Sequence, residues 1–408
     1  MKLKRLSFIL ICLLIITACN NKSADKMTKD SLNNKGSYGY DVEFLKKHSG
    51  GILELYNNDG AKILLSADYQ GRVMTSTATG DSGISFGWIN YDLISSGEKR
   101  KSFNPVGGEE RFWLGPEGGQ FSLYFKKNDP FSIDRWQVPA IIDTIAYDVV
   151  RSDNKEAVFS KTAKLVNYSS TVFDINIERK VMLLDKKIIE NKLKTAIPSD
   201  IKFVGYQTEN SLQNTGSEDW TKEKGLLSIW LLGMFTPTSK TVVIIPFSPV
   251  ENARSYITDN YFGNIPAHRL QIKDSVLYFI CDGKYRSKIG LSPFIAKPMA
   301  AGFDFEHNVL TIVLPEIHKQ ADYVNSKWEI QKEPYKGDVI NSYNDGPLED
   351  GNQMGPFFEI ESSSPALQLK KGETAGYKQT TLHLQGNYNS LRQLTKKILN
   401  IDLDDIKK

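Results

Sequence analysis

The sequence predicts an all-β protein: a large antiparallel β-sandwich with one C-terminal helix. Three observations predict it. From Gly51 onward, apolar runs of about five to eight residues alternate with turns rich in Asn, Asp, Gly and Pro. Helical periodicity is scarce until the end of the chain. Strands this short, joined by tight turns, also lack the long helical crossovers that parallel βαβ units need.

Taken in order, the first element is not part of that body. Lys2, Lys4 and Arg5 precede an apolar run from Leu6 to Ile16, and small Thr17 and Ala18 stand directly before Cys19. This is the layout of a bacterial secretory signal. Ile16-Thr17-Ala18-Cys19 resembles a lipobox, in which Cys19 is lipidated and becomes the mature N-terminus. The apolar run is too short to span a bilayer comfortably. Residues 1–18 therefore read as a lipoprotein signal peptide, and residues 19–36, rich in Asn, Lys, Ser and Asp, as a flexible tether. Residues 37–408 read as a single β-sandwich domain including the terminal helix; large all-β sandwiches often run as one domain at this length. The expected location is the bacterial cell envelope, lipid-anchored at the periplasmic or outer-membrane face. A later apolar stretch, residues 226–235, is interrupted by Ser228 and Gly233 and is too short to span.

Within the body, residues 41–48 suit a short helix. Ile52-Leu53-Glu54-Leu55-Tyr56 meets residues 61–65 across Asn57-Asn58-Asp59-Gly60, a hairpin signal because Asn, Asp and Gly tolerate positive φ. Residues 161–166 and 171–180 flank a second turn, Asn167-Tyr168-Ser169-Ser170. Residues 225–232 are expected to pair with 241–245 across Pro237-Thr238-Ser239-Lys240. Residues 276–281, 309–314 and 357–361 continue the strand pattern. Leu391, Leu394, Ile398 and Leu399 then recur at helical spacing after Ser390, the expected N-cap.

Composition narrows the partners. Loss of Lys2, Lys4 and Arg5 with the signal leaves 48 Lys+Arg against 48 Asp+Glu. A net charge near zero argues against nucleic acid as a partner. Cys12 lies in the signal and Cys19 carries the lipid, so Cys281 has no intrachain disulfide partner and reads as a buried strand residue.

The motifs are few. GGEERFWLGPEGGQF (residues 107–121) has no Gly-Lys-Ser/Thr and is not a phosphate loop. It reads as a tight loop presenting Glu109, Arg111, Trp113 and Glu117, followed by a strand in which Gln120, Ser122 and Tyr124 face one way and Phe121, Leu123 and Phe125 the other. Indole, guanidinium and carboxylate together suit a sugar, or a buried Trp113 with a paired Arg111. The five histidines show no His-x-x-x-His pair, so no metal is expected from them. GDVINSYNDGP (residues 337–347) carries Asp338, Asn341, Asn344 and Asp345; these could attract calcium, but the EF-hand spacing is absent and a hydrogen-bonded loop is the default. Phe358-Glu359-Ile360-Glu361 alternates cleanly. On a strand, Glu359 and Glu361 share the face opposite Phe358 and Ile360, roughly 6.5 Å apart, close enough to divide acid and base roles or to sit on a solvated face.

A resemblance now adds to these readings. Residues 51–79, with Tyr69-Gln70-Gly71-Arg72, resemble the opening of galactose mutarotase-like proteins. FFEIESSSPALQLKKGETAGYKQTTLHLQG (residues 357–386) resembles the end of that superfamily: an acidic strand, a proline, Leu-x-x-Gly-Glu and a last long strand. From about Gly36 the chain also resembles an uncharacterised family of Bacteroidetes lipoproteins, through residues 107–121, Tyr261-Phe262-Gly263, residues 282–286, Asn325-Ser326-Lys327-Trp328-Glu329, residues 337–347 and residues 355–365. The resemblance implies a galactose mutarotase-like supersandwich with a carbohydrate-binding concave face. Aldose epimerases of that superfamily use a histidine acid and a glutamate base. Glu359 matches the base best, with Glu361 its rival, whereas Gln207-Thr208-Glu209-Asn210-Ser211-Leu212 has no histidine, which tells against simple mutarotation. The expected function is action on carbohydrate, with Glu359 and Glu361 as catalytic residues, Arg111, Trp113 and Glu117 binding substrate, and Asn341 and Asn344 at the rim. The alternative is a non-catalytic glycan-binding lipoprotein of a polysaccharide-utilisation system. No cofactor is expected beyond the calcium noted above.

Overall fold

Turn chemistry and alternation build the first elements. In a computed structural model, which describes residues 34–407, Ser37 caps the helix Tyr38–His48, its hydroxyl accepting from Tyr40 N. Asp41 lies in the first turn and Lys46, Lys47 and His48 in the last, each sign placed where the helix dipole favours it. The signal peptide, Cys19 and the tether up to residue 33 lie outside the described residues. The hairpin at Asn57 forms with Leu55 opposite Ile63, the Asn57 side chain accepting from Asp59 N and Ala61 N.

Three antiparallel sheets result. The small one holds Ile52–Tyr56, Lys62–Ser66 and Arg72–Thr77. A ten-stranded sheet runs from Leu270–Lys273 through Val276–Ile280, Thr241–Pro246, Ala300–Asp304, Val309–Pro315, Thr374–Gln385, Lys202–Asn214, Val172–Leu183 and Glu156–Val166 to Asp148–Ser152. A six-stranded sheet orders Ile257–Thr258, Ser287–Leu291, Ile340–Asn344, Phe358–Ser363, Ser228–Phe235 and Arg111–Gly115. The two larger sheets pack face to face: Phe358, Ile360, Ile289 and Ile340 from one meet Val243, Ile245, Phe279 and Val313 from the other. This is the expected antiparallel β-sandwich. The C-terminal helix, Tyr388–Leu399, closes the far side of the ten-stranded sheet, where Leu391 and Leu394 pack on Phe303, Leu310, Leu382 and Leu384. Each such buried side chain contributes about 1.5–3 kcal/mol.

Four expectations need correction. Ser228–Phe235 and Thr241–Pro246 do not form a hairpin. The first is buried along its whole length between Arg111–Gly115 and Phe358–Ser363, and the second lies in the other sheet. Thr236 to Lys240 is a sheet-to-sheet crossing, fixed by Thr238, whose N–H meets Thr241 Oγ1 at 2.9 Å and whose hydroxyl meets Asp304 at 2.6 Å. The strand in the glycine-rich segment comes earlier than expected, at Arg111–Gly115. Pro116 has no N–H to continue the ladder, and residues 116–125 fold as a compact loop in which Ser122 N bonds Gly119 O and Leu123 N bonds Pro116 O. Gly118 is needed there, since a Cβ would sit 2.2 Å from the Lys327 carbonyl oxygen. Residues 340–344 are a strand, not a loop. The terminal helix starts one turn early, capped by Asn387 rather than Ser390.

Candidate functional site: a carboxylate recess on the six-stranded sheet

The faces of the six-stranded sheet sort its polar residues. Phe358 and Ile360 turn inward, so Glu359 and Glu361 share the outer face, as alternation requires. Register then aligns neighbours in rows. Arg111, Leu232, Glu361 and Asn341 stand side by side across four strands. Met234, Glu359, Tyr343 and Lys288 form the next row, and Trp113 faces Trp230 beyond.

Two ion pairs organise the rows. Arg111 Nη2 donates to Glu359 Oε1 at 2.5 Å, both side chains almost fully buried. The Arg111 guanidinium lies 4.5 Å from the Trp113 ring centroid, a cation–π contact. Lys288 Nζ donates to Glu361 Oε2 at 2.8 Å, and Trp230 Nε1 donates to the same oxygen at 3.0 Å. Lys288 also faces the rings of Trp230 and Tyr261. Glu117, half-buried, interacts with Lys288 and Glu361, with the indoles of Trp328 and Trp136 against it.

The charges are unequal in consequence. Burial pushes the Glu359 carboxyl up to about 8; Arg111 opposes this and Glu361 adds to it. Burial also raises Glu117, against the pull of Lys288. Burial works against the Lys288 charge, yet Glu361 and Glu117 together hold its pKa above the ordinary lysine value. Several buried polar atoms here have no protein partner: Arg111 Nε and Nη1 and Trp113 Nε1. Such atoms cost free energy unless a ligand or water meets them. The site thus offers one carboxyl, Glu359, whose proton affinity burial raises, a second, Glu361, paired with Lys288, and aromatic walls from Trp113, Trp136, Trp328 and Tyr261.

Of the residues expected at the site, the structure brings Glu359, Glu361, Arg111, Trp113 and Glu117 together, with Asn341 beside Glu361. Asn341 is tied to Tyr261 OH and Ile289 O. Asn344 is not at the rim. Three residues from Asn341, it falls on the opposite face, where it binds Gly283 N and Tyr285 O and pins the loop at 282–286. Glu109 also lies elsewhere, accepting from Ser76 Oγ and bonded to His383 Nε2 at 2.7 Å. The oxygens of residues 337–347 diverge along their strand: Asp338 accepts from Tyr261 OH and Asp345 from Tyr343 OH. Among the described residues no group of three or more His, Cys, Asp or Glu side chains is placed to hold a metal ion.

Sequence reasoning missed Lys288, Trp230, Tyr261 and Trp136. Lys288 alternates with Ser287 and Ile289 in a readable strand, but nothing local ties that strand to Glu361. Trp230 sits in an unbroken apolar run that shows no face. A separate cavity of about 1030 Å³ opens on the other side of the Phe358–Ser363 strand, lined by Phe86, Trp88, Asp304, Phe358 and His383. There His383 has both ring nitrogens engaged, by Glu109 and Thr311, and stacks on Phe86, as a structural histidine does.

A model of a family of unknown function, DUF6786, matches residues 36–408. The chain belongs to that family. No curated protein matches the chain in sequence. Solved structures similar to this DUF6786 chain include a candidate aldose 1-epimerase from Escherichia coli K12, 11% identical, with a TM-score of 0.49, covering 82% of this chain and 99% of that one. The Slr1438 protein from Synechocystis sp. PCC 6803 is 12% identical, with a TM-score of 0.48, covering 82% and 96%. A galactose mutarotase-like protein from Lactobacillus casei is 11% identical, with a TM-score of 0.45, covering 83% and 100%.

Proposed function

We propose that this DUF6786 protein is a cell-envelope lipoprotein that binds carbohydrate in the recess above Glu359 and Glu361 and performs acid–base chemistry on it. One observation carries the reading: two carboxyls on one strand face, in unlike environments, inside an aromatic recess with unsatisfied polar atoms. Sugars suit such a site, because ring faces stack on indoles while hydroxyls bind charged groups. Burial raises the proton affinity of Glu359 against the pull of Arg111, so Glu359 is the carboxyl suited to take up a proton and give it to a leaving or ring oxygen. Glu361, paired with Lys288 and Trp230, is the fixed anion that supports charge developing at the sugar. Arg111 binds Glu359 in the resting site and, with Trp113, forms one wall. The resemblance of Ile16-Thr17-Ala18-Cys19 to a lipobox supports an envelope location for this chemistry.

The test is turnover against binding on a glycan panel, followed by release of reducing ends or unsaturated sugars. Glu359→Gln keeps the shape of the side chain but carries no transferable proton. It should abolish turnover while leaving ligand affinity within about tenfold, the pattern of an interaction made in the transition state. Glycan binding by the wild type with no turnover of any bound glycan would replace the enzyme by a glycan-binding lipoprotein.

A further inference from the structure

The row that carries Glu359 continues past the edge of the recess. Tyr343 stands directly opposite Glu359, and Lys288 stands opposite Tyr343. Arg286 lies two residues before Lys288, so it extends the same face beyond the start of the Ser287–Leu291 strand. Its Nε donates to Tyr343 OH at 3.3 Å, and that hydroxyl donates to Asp345 at 2.5 Å. The Arg286 guanidinium lies 3.7 Å from the ring centroid of Phe262, which packs edge-on against Tyr343 at 5.9 Å. Phe262 is 46% exposed, so its ring is open to a ligand.

Charge separates this outer element from the recess. Arg111 is matched by Glu359, and Lys288 by Glu361. Arg286 enters no ion pair among the described residues; its contacts are a tyrosine hydroxyl and a phenyl face. An arginine with unspent donors beside an exposed ring is chemically suited to a sugar that presents both an apolar face and a carboxylate, since the guanidinium fork matches carboxylate geometry. Tyr343 is the cross-strand neighbour of Glu359, about 5 Å away, and Phe262 packs on the far side of its ring, so Phe262 stands one residue beyond direct contact with Glu359. That is beyond one sugar ring and within reach of a linked one.

The geometry points to an outer subsite at Phe262 and Arg286 that takes a carboxylate-bearing ring of an acidic oligosaccharide whose neighbouring ring lies at Glu359. This rests on the carbohydrate reading of the recess and adds to it a ligand class and a minimum length. A uronate one or two rings along the chain stacks on Phe262 and meets the free side of Arg286. A monosaccharide reaches only the recess.

The probes are oligogalacturonates and oligoglucuronates of one to six units, their methyl esters, and neutral gluco-oligosaccharides, titrated calorimetrically against the full chain with its signal removed and Cys19 replaced by Ser. Affinity should rise at least tenfold between one unit and three or four for an acidic series, and methyl esterification should remove that gain. Phe262→Ala and Arg286→Gln should each bind the longer acid no better than the monomer, while Arg286→Lys recovers part of the gain. Both variants change exposed or half-exposed side chains, and unaltered thermal unfolding confirms that they fold. Length-independent affinity, equal binding of the methyl esters, or variants with the wild-type length dependence would overturn the subsite. If neutral oligosaccharides bind and no acidic series does, the subsite fails and the carbohydrate reading stands. If nothing binds, the subsite fails, and the carbohydrate reading is decided by the glycan panel.

Discussion

Replacing Glu359 by Gln should change how stability depends on pH, and the size follows from the burial of that carboxyl. Burial pushes the Glu359 carboxyl up to about 8 from an ordinary glutamate value of 4.5, with Arg111 opposing the shift and Glu361 adding to it. Between those limits the folded chain keeps a proton that the unfolded chain has released. Stability therefore falls as pH rises through this window and levels off above about 8, where both states are ionised. The sign is opposite to that of a salt-bridged surface carboxylate. Each pH unit of such a window costs about 1.4 kcal/mol, so the loss at this one group is on the order of a few kcal/mol. Glu117, Asp338 and Asp345 are raised by burial as well, so the wild-type curve alone does not isolate Glu359. The difference from Glu359→Gln does. Gln keeps the oxygen that accepts from Arg111 and cannot ionise. Urea unfolding of both proteins between pH 5 and 9 should show the variant gaining on the wild type by several kcal/mol, with most of the gain between pH 5 and 8. Parallel curves, separated by a constant to within about 1 kcal/mol, would mean that Glu359 is ionised at neutral pH and would refute the argument.

Two other perturbations follow from the same arrangement. Lys288→Met leaves Glu361, whose side chain is fully buried, without its cation, and should destabilise the fold by about 3–5 kcal/mol in urea unfolding; adding Glu361→Leu should recover most of that loss. Cys19→Ser should abolish fatty-acid labelling and give a soluble or uncleaved product, because two or more acyl chains are what make such an anchor stable; labelling that persists would remove the lipobox reading.

Local chemistry made much of this protein legible, and its limits are equally local. The alternation in Phe358-Glu359-Ile360-Glu361 suffices to put both carboxylates on one face, because side chains on a strand change sides at every residue. The turns at Asn57 and Asn167 announce their hairpins through residues that adopt the needed φ. Pro237 to Lys240 looks the same and is not a hairpin, since which sheet receives the next strand depends on burial partners far along the chain. Turn-like composition in residues 337–347 hides the strand Ile340–Asn344, in which the odd spacing from Asn341 sends Asn344 to the other face. Lys288 shows the remaining gap. It contacts Glu361 across 73 positions of sequence, and nothing in either segment encodes the register that joins them.

The central claim is that the recess binds a sugar through Arg111, Trp113 and the Glu359–Glu361 pair. It is tested most directly by glycan-array screening of the lipid-free chain as wild type, Arg111→Met/Glu359→Leu and Asn344→Ala. The double variant replaces the Arg111–Glu359 ion pair with apolar side chains of similar size, so no buried charge of that pair is left unmatched. The wild type should bind specific glycans, the folded double variant should lose that binding, and Asn344→Ala, which alters only the far face of the sheet, should retain it. Binding that survives in the folded double variant, or that disappears only with Asn344, would contradict the claim.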